Sequence, residues 1–301
     1  MESHTRRKSF IMPFSGDELD HAETIRTTEQ LEVFIKKNDA KCLCLNNGSI
    51  AIESTGGLKL IHPSTLIGKK INDPGPVFLG LKKNIPIFSA SIVEPNTLNQ
   101  DLVFEDLRKA SKFLSPQEMS LAGRAKSLME WHINHRFCPK CGQITQPSSG
   151  GIKRECNSCS SEHFPRVNPV VIMLIISKNK VLLGRGKGWP EGAMSALAGF
   201  ISPGETIEET VKRETFEEVG IKIENPKYIF SQPWPWPSQL MIGMVCEAQS
   251  EDLNINTAEI EEARWFTKDQ VKAVYNKSGD HFLRLPKFTI AHHLLKNWIE
   301  G

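Results

Sequence analysis

Three glutamates on one predicted helix are the residues of this chain best suited to chemistry. They lie in the segment GFISPGETIEETVKRETFEEVGI, residues 199–221. At about 100° per residue, Glu214 and Glu218 lie at the edge of the apolar stripe of the helix. Glu217 lies beside them, further from that stripe. Acids crowded along one edge repel each other unless cations lie among them. The pattern is therefore typical of a divalent-cation site or, equally, of a charged helix that faces water.

Capping signals predict where this helix begins and ends. Thr206 and Glu209 fit a capping box, so the helix should start directly after Thr206, and Gly220 should stop it. Arg213 lies four residues after Glu209 and four before Glu217, and we expect it to help hold the three acids in place. The side of the helix that we expect to pack against the core has residues at intervals of four: Ile207, Val211, Thr215 and Val219.

The loop before the helix favours the cation site. In AGFISPGE, Gly199, Pro203 and Gly204 stand where a strand must turn sharply into the helix. Such a turn brings backbone carbonyl oxygens close to the acids. Carboxylate and carbonyl oxygens are the ligands that Mg²⁺ and Mn²⁺ prefer, so we expect one of these ions here.

Four of the seven cysteines have the spacing of a zinc site. Cys138, Cys141, Cys156 and Cys159 give C-x2-C-x14-C-x2-C, in which each pair supplies two thiolates to a tetrahedron. Four thiolates leave no open position, so we expect one structural zinc per chain. Histidines that could serve as alternative ligands lie nearby: His132, His135 and His163. The remaining cysteines should be reduced and buried: Cys42, Cys44 and Cys246.

Composition places the chain among ordinary globular proteins, with 301 residues, 39% hydrophobic and 24% charged residues, and a formal net charge of +2. This charge gives no chain-wide basic field for nucleic acid. The longest apolar run, residues 170–176, is too short to cross a bilayer and predicts a buried strand. We find no secretory signal or C-terminal address and expect a cytoplasmic protein without a membrane partner, while a peroxisome or another organelle stays open.

The element pattern is that of a mixed α/β protein. The first 130 residues read as short strands, with one helix predicted at TTEQLEVFIKK. Another helix should start after Ser115, where Pro116 and Glu118 complete a capping box. Beyond the cysteines, predicted strands surround the acidic helix, and a closing helix is expected near KFTIAHHLLKNWI. No repeat is found within the sequence.

Alternating prolines and tryptophans form a stiff segment, SQPWPWPSQLM, at residues 231–241. It is either a rigid loop with packed indoles or a wall that orders a nucleotide or nicotinamide ligand. In the second case the rings stack on the ligand, and the amides of Gln232 and Gln239 bind it.

At these residues the chain resembles the Nudix hydrolases. The signature G-x5-E-x7-R-E-U-x-E-E-x-G-U, in which U is bulky and apolar, is matched by Gly199, Glu205, Arg213, Glu214, Glu217, Glu218, Gly220 and Ile221. Thr215 departs from the first U but keeps a β-branched shape. The segment SQPWPWPSQ is similar to S-Q-P-W-P-F-P-x-S, which marks the NADH pyrophosphatase branch, with Trp236 in place of Phe. The resemblance covers roughly residues 75–298 and is strongest from residue 138 onward.

The resemblance implies a Nudix α/β/α sandwich with a mixed sheet, preceded by a zinc ribbon and a smaller, mostly β N-terminal domain. The expected domains are residues 1–130, 131–165 and 166–301. Members of this branch hydrolyse the diphosphate of NADH or NAD⁺ to nicotinamide mononucleotide and AMP, and some remove NAD caps from RNA. A homodimer is also implied.

Site residues follow from the same resemblance. The metal ligands would be Glu214, Glu217 and Glu218 with the Ala198 carbonyl and Glu259, and Arg213 would orient the acids. Glu217 is the first candidate for general base and Glu259 the second. Substrate contacts are expected from Phe164, Phe200, Gln232, Pro233, Trp234, Pro235, Trp236, Pro237, Ser238, Gln239 and Ala291. Phe164 stands where the branch often has Tyr, so a hydroxyl contact is missing.

Two other functions remain open. A Nudix hydrolase could prefer ADP-ribose or diadenosine polyphosphates, and release of nicotinamide mononucleotide would distinguish these cases. A non-catalytic module that binds RNA or a protein is the other alternative; salt-dependent RNA affinity without turnover would favour it.

Overall fold

The computed structural model describes residues 11–98, 102–276 and 285–301. The chain divides into two units, the first with Met1–Val167 and Pro233–Ser238, the second with Asn168–Gln232 and Gln239–Gly301. The cysteine segment thus belongs to the first unit, and the expected division into three domains stays a prediction. No helix in the described ranges is long and apolar enough to cross a membrane.

A six-stranded sheet forms the centre of the first unit. Its strands are β1 (Lys41–Asn46), β2 (Ser49–Ile52), β3 (Leu60–Ile61), β4 (Val77–Lys82), β5 (Ile85–Ser91) and β6 (Val103–Glu105). The order is β4-β5-β1-β2-β6, and β3 pairs with β1. β1 runs parallel to β5, while its pairings with β2 and β3 are antiparallel.

Three α-helices accompany this sheet: α1 (Thr28–Lys36), α2 (Leu107–Ala110) and α3 (Pro116–Asn134). Both helices predicted for this region are present. The capping box before α3 forms as expected, with Ser115 and Glu118 bonding each other's backbone. Short 3-10 turns lie at Glu23–Ile25, Pro63–Leu66, Pro95–Thr97 and Ser149–Gly151.

A small antiparallel sheet follows in the cysteine segment, with β7 (Gln146–Ser148), β8 (Lys153–Glu155) and β9 (Glu162–His163) in sequential order. Strands this short cannot bury a core of their own. Metal binding or packing on neighbouring elements must therefore stabilise the segment.

The second unit has its own six-stranded sheet. Its strands are β10 (Asn168–Ser177), β11 (Lys180–Gly186), β12 (Leu197–Phe200), β13 (Ile223–Trp234), β14 (Gln239–Ala248) and β15 (Ile260–Thr267). The order is β13-β14-β10-β11-β15, and β12 pairs with β10. The helices are α4 (Ile207–Val219), α5 (Lys268–Tyr275) and α6 (Ile290–Glu300).

Strand β10 is apolar on both faces because helices cover both sides of this sheet. Val171 and Met173 belong to the core cluster that includes Val211 of α4. Ile172 and Leu174 point the other way, into a cluster with residues of α5 and α6. This alternation builds an α/β/α sandwich around a mixed sheet, as the resemblance implies.

The two sheets repeat one strand order although the sequence shows no repeat. In each, the first strand is central, with the second and third strands antiparallel to it and the fifth parallel. The fourth strand lies beside the fifth, and the sixth beside the second. The repeat therefore lies in the topology of the strands. No repeat is found when residues, and not topology, are compared.

Candidate active site

The acidic helix α4 starts and stops where the capping signals predict. Thr206 accepts a hydrogen bond from the Glu209 amide, and the Glu209 carboxylate accepts one from the Thr206 amide. Gly220 ends the helix in the left-handed conformation, at φ 72°. The inward stripe is buried at Val211, Thr215 and Val219, and Ile207 is half-buried.

Gly199 lies against the side chain of Glu214. A Cβ at this position of β12 would overlap the Glu214 carboxyl group, so glycine allows Glu214 to keep this position beside the strand. The close approach places the end of β12, from the Ala198 carbonyl to Phe200, beside the acids.

Arg213 binds three acids at once. Its guanidinium bonds both carboxylate oxygens of Glu205, at 2.5 and 2.8 Å, and donates to Glu214 at 2.8 Å and Glu217 at 2.9 Å. It also donates to the Phe200 carbonyl at 3.0 Å. The pairing with Glu217 was expected from the helical spacing.

Arg213 does not pair with Glu209, although the helical spacing allows it. The Glu209 carboxylate is used by the capping box, and the loop turns Glu205 back toward Arg213 instead. Arg213 and the Ser202 amide together lower the pKa of Glu205 to about 2. Helical spacing cannot indicate this pair because Glu205 precedes the helix.

Glu218 is the most deeply buried acid of the helix, with 6% of its surface exposed. One of its carboxylate oxygens is buried without a hydrogen-bond partner in the described part of the chain. Burial raises the pKa of Glu218 to about 8, and the charges of Glu214, Glu259 and Glu217 add to the effect. Burial also raises the pKa of Glu214, although the hydrogen bond and the charge of Arg213 act to lower it.

Glu259 reaches this cluster from the loop before β15. The Asn256 amide donates to the Glu218 carbonyl at 2.9 Å, and the Glu259 amide donates to the Asn256 carbonyl at 3.0 Å. The loop is thereby attached to the end of α4. The exposed Glu259 carboxylate contributes to the raised pKa of both Glu214 and Glu218.

These residues fit a hard divalent cation. A buried carboxylate oxygen without a donor, next to other carboxylates, is unfavourable unless a cation or a proton compensates it. The donor set, carboxylates plus the nearby end of β12, consists of oxygen ligands suited to Mg²⁺ or Mn²⁺. Glu214, Glu217, Glu218 and Glu259 are the side chains that could bind such an ion.

The four cysteines form a second candidate metal centre, in the first unit. Their sulfur atoms all lie within 4.8 Å of one another. The Sγ atoms of Cys138 and Cys159 are 3.6 Å apart, and those of Cys141 and Cys156 are 3.4 Å apart. Ligands at about 2.3 Å in a zinc tetrahedron are about 3.8 Å apart, so the four thiols fit one zinc ion.

The two cysteine turns have matching backbone geometry. The Gly142 amide donates to the Cys138 carbonyl at 2.8 Å, and the Ser160 amide donates to the Cys156 carbonyl at the same distance. Gly142 and Ser160 both have positive φ, 74° and 55°. Each turn therefore presents its pair of thiols in the same way.

Two of the three nearby histidines have other partners, whereas the Nε2 atom of His163 is buried without a hydrogen-bond partner in the described part of the chain. His132 is fully buried, and its ring nitrogens contact the Gly151 carbonyl at 2.7 Å and Arg154 at 3.2 Å. The ring of His135 stacks on Trp131. The set of four sulfurs is complete without them.

A buried arginine joins this segment to the rest of the first unit. Arg154 is fully buried, and its guanidinium bonds Asp73 at 2.8 Å and the Thr145 hydroxyl at 2.7 Å. Sequence reasoning missed this network because its partners are far apart in the chain and carry no common spacing.

The tryptophans of residues 233–238 pack within the first unit. Phe14 meets the rings of Trp234 and Trp236 edge-on, at centroid distances of 6.2 and 5.5 Å. The Arg108 guanidinium lies over the Trp236 ring at 4.4 Å, and the Ser127 hydroxyl donates to the Pro237 carbonyl at 3.0 Å. The segment is therefore a rigid loop with packed indoles, whether or not it also binds a ligand.

Gln232 is buried in the second unit, where it positions α6. Its amide nitrogen donates to the Phe288 carbonyl at 2.7 Å, and its amide oxygen accepts from the Ile290 amide at 2.7 Å. Ala291, the second residue of α6, is buried as well. Phe200 in this unit and Phe164 in the first unit are exposed, as ring-stacking residues must be. The remaining cysteines, 42, 44 and 246, are buried and unbridged as expected.

Three family models match the chain. The NUDIX domain matches residues 165–285, the NADH pyrophosphatase zinc ribbon domain residues 133–164, and the NADH pyrophosphatase-like rudimentary NUDIX domain residues 39–131. The last description agrees with the repeated strand order. It also agrees with the resemblance found from the sequence.

Similar proteins carry names of the same kind. The NAD-capped RNA hydrolase NudC of Chromobacterium violaceum is 36% identical over 258 residues, which cover 84% of this chain and 90% of that protein. The NAD-capped RNA hydrolase NUDT12 of Homo sapiens is 44% identical over 197 residues, 62% of this chain and 43% of that protein. The mitochondrial NAD(P)H pyrophosphatase NUDT13 of Mus musculus is 41% identical over 211 residues, 65% and 59% of the two chains. The chain thus spans less than two thirds of the human and mouse relatives. By its domain models and its match along NudC, it belongs to the NADH pyrophosphatase branch of the Nudix family.

Proposed function

We propose that this protein hydrolyses the diphosphate bond of NADH or NAD⁺, releasing nicotinamide mononucleotide and AMP, and that it also removes NAD caps from RNA. The names of similar proteins support both substrates. The observation that carries the proposal is Glu218, a buried carboxylate with a free oxygen beside Glu214 and Glu259. In a non-catalytic binding module, this buried and unpaired carboxylate would be unfavourable without serving a function.

The catalytic cofactor in this proposal is Mg²⁺ or Mn²⁺, bound by Glu214, Glu217, Glu218 and Glu259 with the Ala198 carbonyl. A divalent ion there supplies positive charge to the phosphate oxygens and acidifies the attacking water. Zn²⁺, one per chain on the four cysteines, is the structural cofactor.

The chain's own residues divide the remaining work. Arg213 positions Glu214 and Glu217 through direct hydrogen bonds and is itself fixed by Glu205. Glu217 is the proposed general base because it is the most exposed acid of the cluster on α4 and can reach a substrate water. Glu259 is the alternative base.

Aromatic rings and backbone groups are the proposed substrate contacts. Phe200 and Phe164 offer exposed rings for stacking, and the Pro-Trp segment from Pro233 to Gln239 offers a rigid surface. Ala291 lies in the first turn of α6, where the Ile290 amide donates to Gln232 and the His292 amide to Thr289, so the Ala291 amide is the proposed backbone contact.

Product analysis tests the proposal directly. NADH, NAD⁺, ADP-ribose and an NAD-capped oligonucleotide are incubated with the protein in Mn²⁺ or Mg²⁺, and the products are identified by mass. AMP is expected from the first two, with nicotinamide mononucleotide from NAD⁺ and its reduced form from NADH. The capped oligonucleotide should give nicotinamide mononucleotide and a 5′-monophosphate RNA. Cleavage of ADP-ribose alone would favour the other hydrolase, and RNA affinity without turnover the binding module.

A matched pair of variants on one helix tests the residue assignments. Glu217→Gln should abolish most turnover while the protein stays folded. Glu208→Gln removes an exposed carboxylate from the same helix outside the cluster and should leave turnover unchanged. Near-normal hydrolysis by Glu217→Gln would reject the assignment.

The proposed homodimer is tested by light scattering and the cytoplasmic location by imaging a tagged full-length protein.

A further inference from the structure

Trp189 is a large exposed aromatic residue that the motifs leave unexplained. It lies in the loop GRGKGWPEGA between β11 and β12, with 47% of its surface exposed. Its indole N–H has no acceptor in the described part of the chain. An aromatic side chain left open in this way is costly to expose and is typical of binding sites.

The loop holds the indole in a fixed place. The Trp189 amide donates to the Gly186 carbonyl at 3.2 Å, and the indole lies over Gly186, 3.4 Å from where a Cβ would be. Arg185 donates to the Trp189 carbonyl at 3.4 Å and forms an ion pair with Glu261 of β15. The Gly188 amide also donates to Glu261, at 3.1 Å. These bonds make the ring a preorganised surface.

A short series of contacts leads from this ring to the acids. Gly186, under the indole, pairs with Ile260 at the start of β15. Ile260 follows Glu259 directly, and its amide donates to the Asn256 carbonyl at 3.0 Å. The Asn256 amide in turn donates to the Glu218 carbonyl at 2.9 Å. The indole and the acidic cluster therefore lie at the same end of the β11–β15 pair.

We propose that Trp189 is a specificity-determining residue that stacks on a planar ring of the dinucleotide while its diphosphate lies at the acids. The inference rests on the proposed function, since it takes the substrate class from it. A solvent-exposed loop residue without a ligand is the simpler alternative. The two interpretations predict different effects on substrate affinity when the indole ring is removed: the stacking interpretation predicts a loss, and the alternative predicts none.

The variants Trp189→Ala and Trp189→Leu test the removal of the ring. Leucine keeps an apolar side chain of some bulk but has no planar face. Both should raise the KM for NADH on the order of 10-fold, a typical effect of losing one stacking aromatic, with little change in kcat. Trp189→Phe should restore most of the affinity. Tyr228→Ala removes another exposed aromatic of the second unit and should leave KM unchanged. ADP-ribose, which lacks nicotinamide, identifies the ring: if Trp189 stacks on nicotinamide, the variants bind ADP-ribose like the wild type.

Equilibrium binding separates this inference from the proposed function. Binding of NADH and ADP-ribose is measured by calorimetry for wild type and variants, independently of turnover. If the wild type binds but does not hydrolyse NADH, the proposed function fails, and the affinity difference alone decides the role of Trp189. Equal KM and equal affinity for both ligands in wild type, Trp189→Ala and Trp189→Leu would overturn the inference. So would a wild type that binds neither ligand.

Discussion

The third and fourth strands of each six-stranded sheet are joined by very different segments. Between β3 and β4, residues 62–76 contain a 3-10 turn and a single acid, Asp73. Between β12 and β13, the chain forms α4 with its cluster of glutamates. The strand order is otherwise the same. The connection between the third and fourth strands, and not the sheet itself, therefore decides which unit has the acids that we propose to bind a catalytic ion.

The acids in these two segments have opposite surroundings. Asp73 bonds the fully buried Arg154, so its charge is compensated and contributes to packing of the cysteine segment. Glu218 has a buried oxygen with no donor and a pKa raised to about 8 by burial and neighbouring acids. The first arrangement is typical of structural ion pairs, the second of functional sites.

Exchanging each acid for its amide tests this contrast and should give the largest effect. Glu218→Gln should lower turnover on the order of 100- to 10,000-fold, as for loss of a catalytic carboxylate. The stability of the metal-free protein should stay nearly unchanged, because a carboxyl with a pKa of about 8 is already mostly uncharged at pH 7. Asp73→Asn should lower stability by about 1–2 kcal/mol, because the Asp73 carboxylate is partly exposed, and leave turnover per folded molecule unchanged. Steady-state kinetics and urea unfolding measure both. Similar losses of turnover in the two variants would contradict the contrast.

The cysteine site allows a second contrast within the first unit. Cys138→Ser removes one of four thiols around the metal and should lower zinc content and stability together, since zinc binding and folding are coupled. Cys44→Ala, a buried cysteine of β1, should cost stability without changing zinc content. Elemental analysis and thermal unfolding check this. Unchanged zinc and melting temperature in Cys138→Ser would refute the site.

His132 makes the first unit sensitive to acid. Burial, together with the charge of Arg154, lowers the pKa of His132 from 6.5 to about 4, against the bond to Gly151. The unfolded chain therefore binds the proton more readily, so stability is complete above pH 6.5 and falls toward pH 4, by at most about 3 kcal/mol. His132→Gln cannot be protonated and should flatten this part of the profile. Urea midpoints at pH 7.5 and 5.0 give the comparison; parallel profiles would exclude His132 as the cause.

Local signals made much of the fold predictable. The capping boxes before α3 and α4 need only residues three apart, and the apolar run of β10 reflects helices on both faces. The cysteine spacing predicts its cluster because each pair sits in one turn. In the site, the edge position of Glu214 and Glu218 follows from helical geometry alone.

Contacts between distant segments were not predictable. Asp73 and Arg154 are 81 residues apart, and the pairing of Arg213 with Glu205 depends on how the loop folds back. The repeated strand order also leaves no sequence repeat, because many apolar sequences satisfy one pattern of paired strands. Only the folded backbone shows which polar groups meet.

The two capping boxes offer the smallest and most closely matched test. Thr206→Ala and Ser115→Ala each remove a hydroxyl that accepts from the third helical amide, and each should cost about 1 kcal/mol of stability. Their effects on turnover should differ. Thr206 follows Glu205 directly, and Glu205 binds Arg213, which positions Glu214 and Glu217. A frayed start of α4 therefore loosens the acids, whereas a frayed start of α3 does not touch them. Thermal unfolding with kcat for both variants decides; Thr206→Ser should behave as wild type, and equal kcat in both alanine variants would mean that the acids are positioned without the cap.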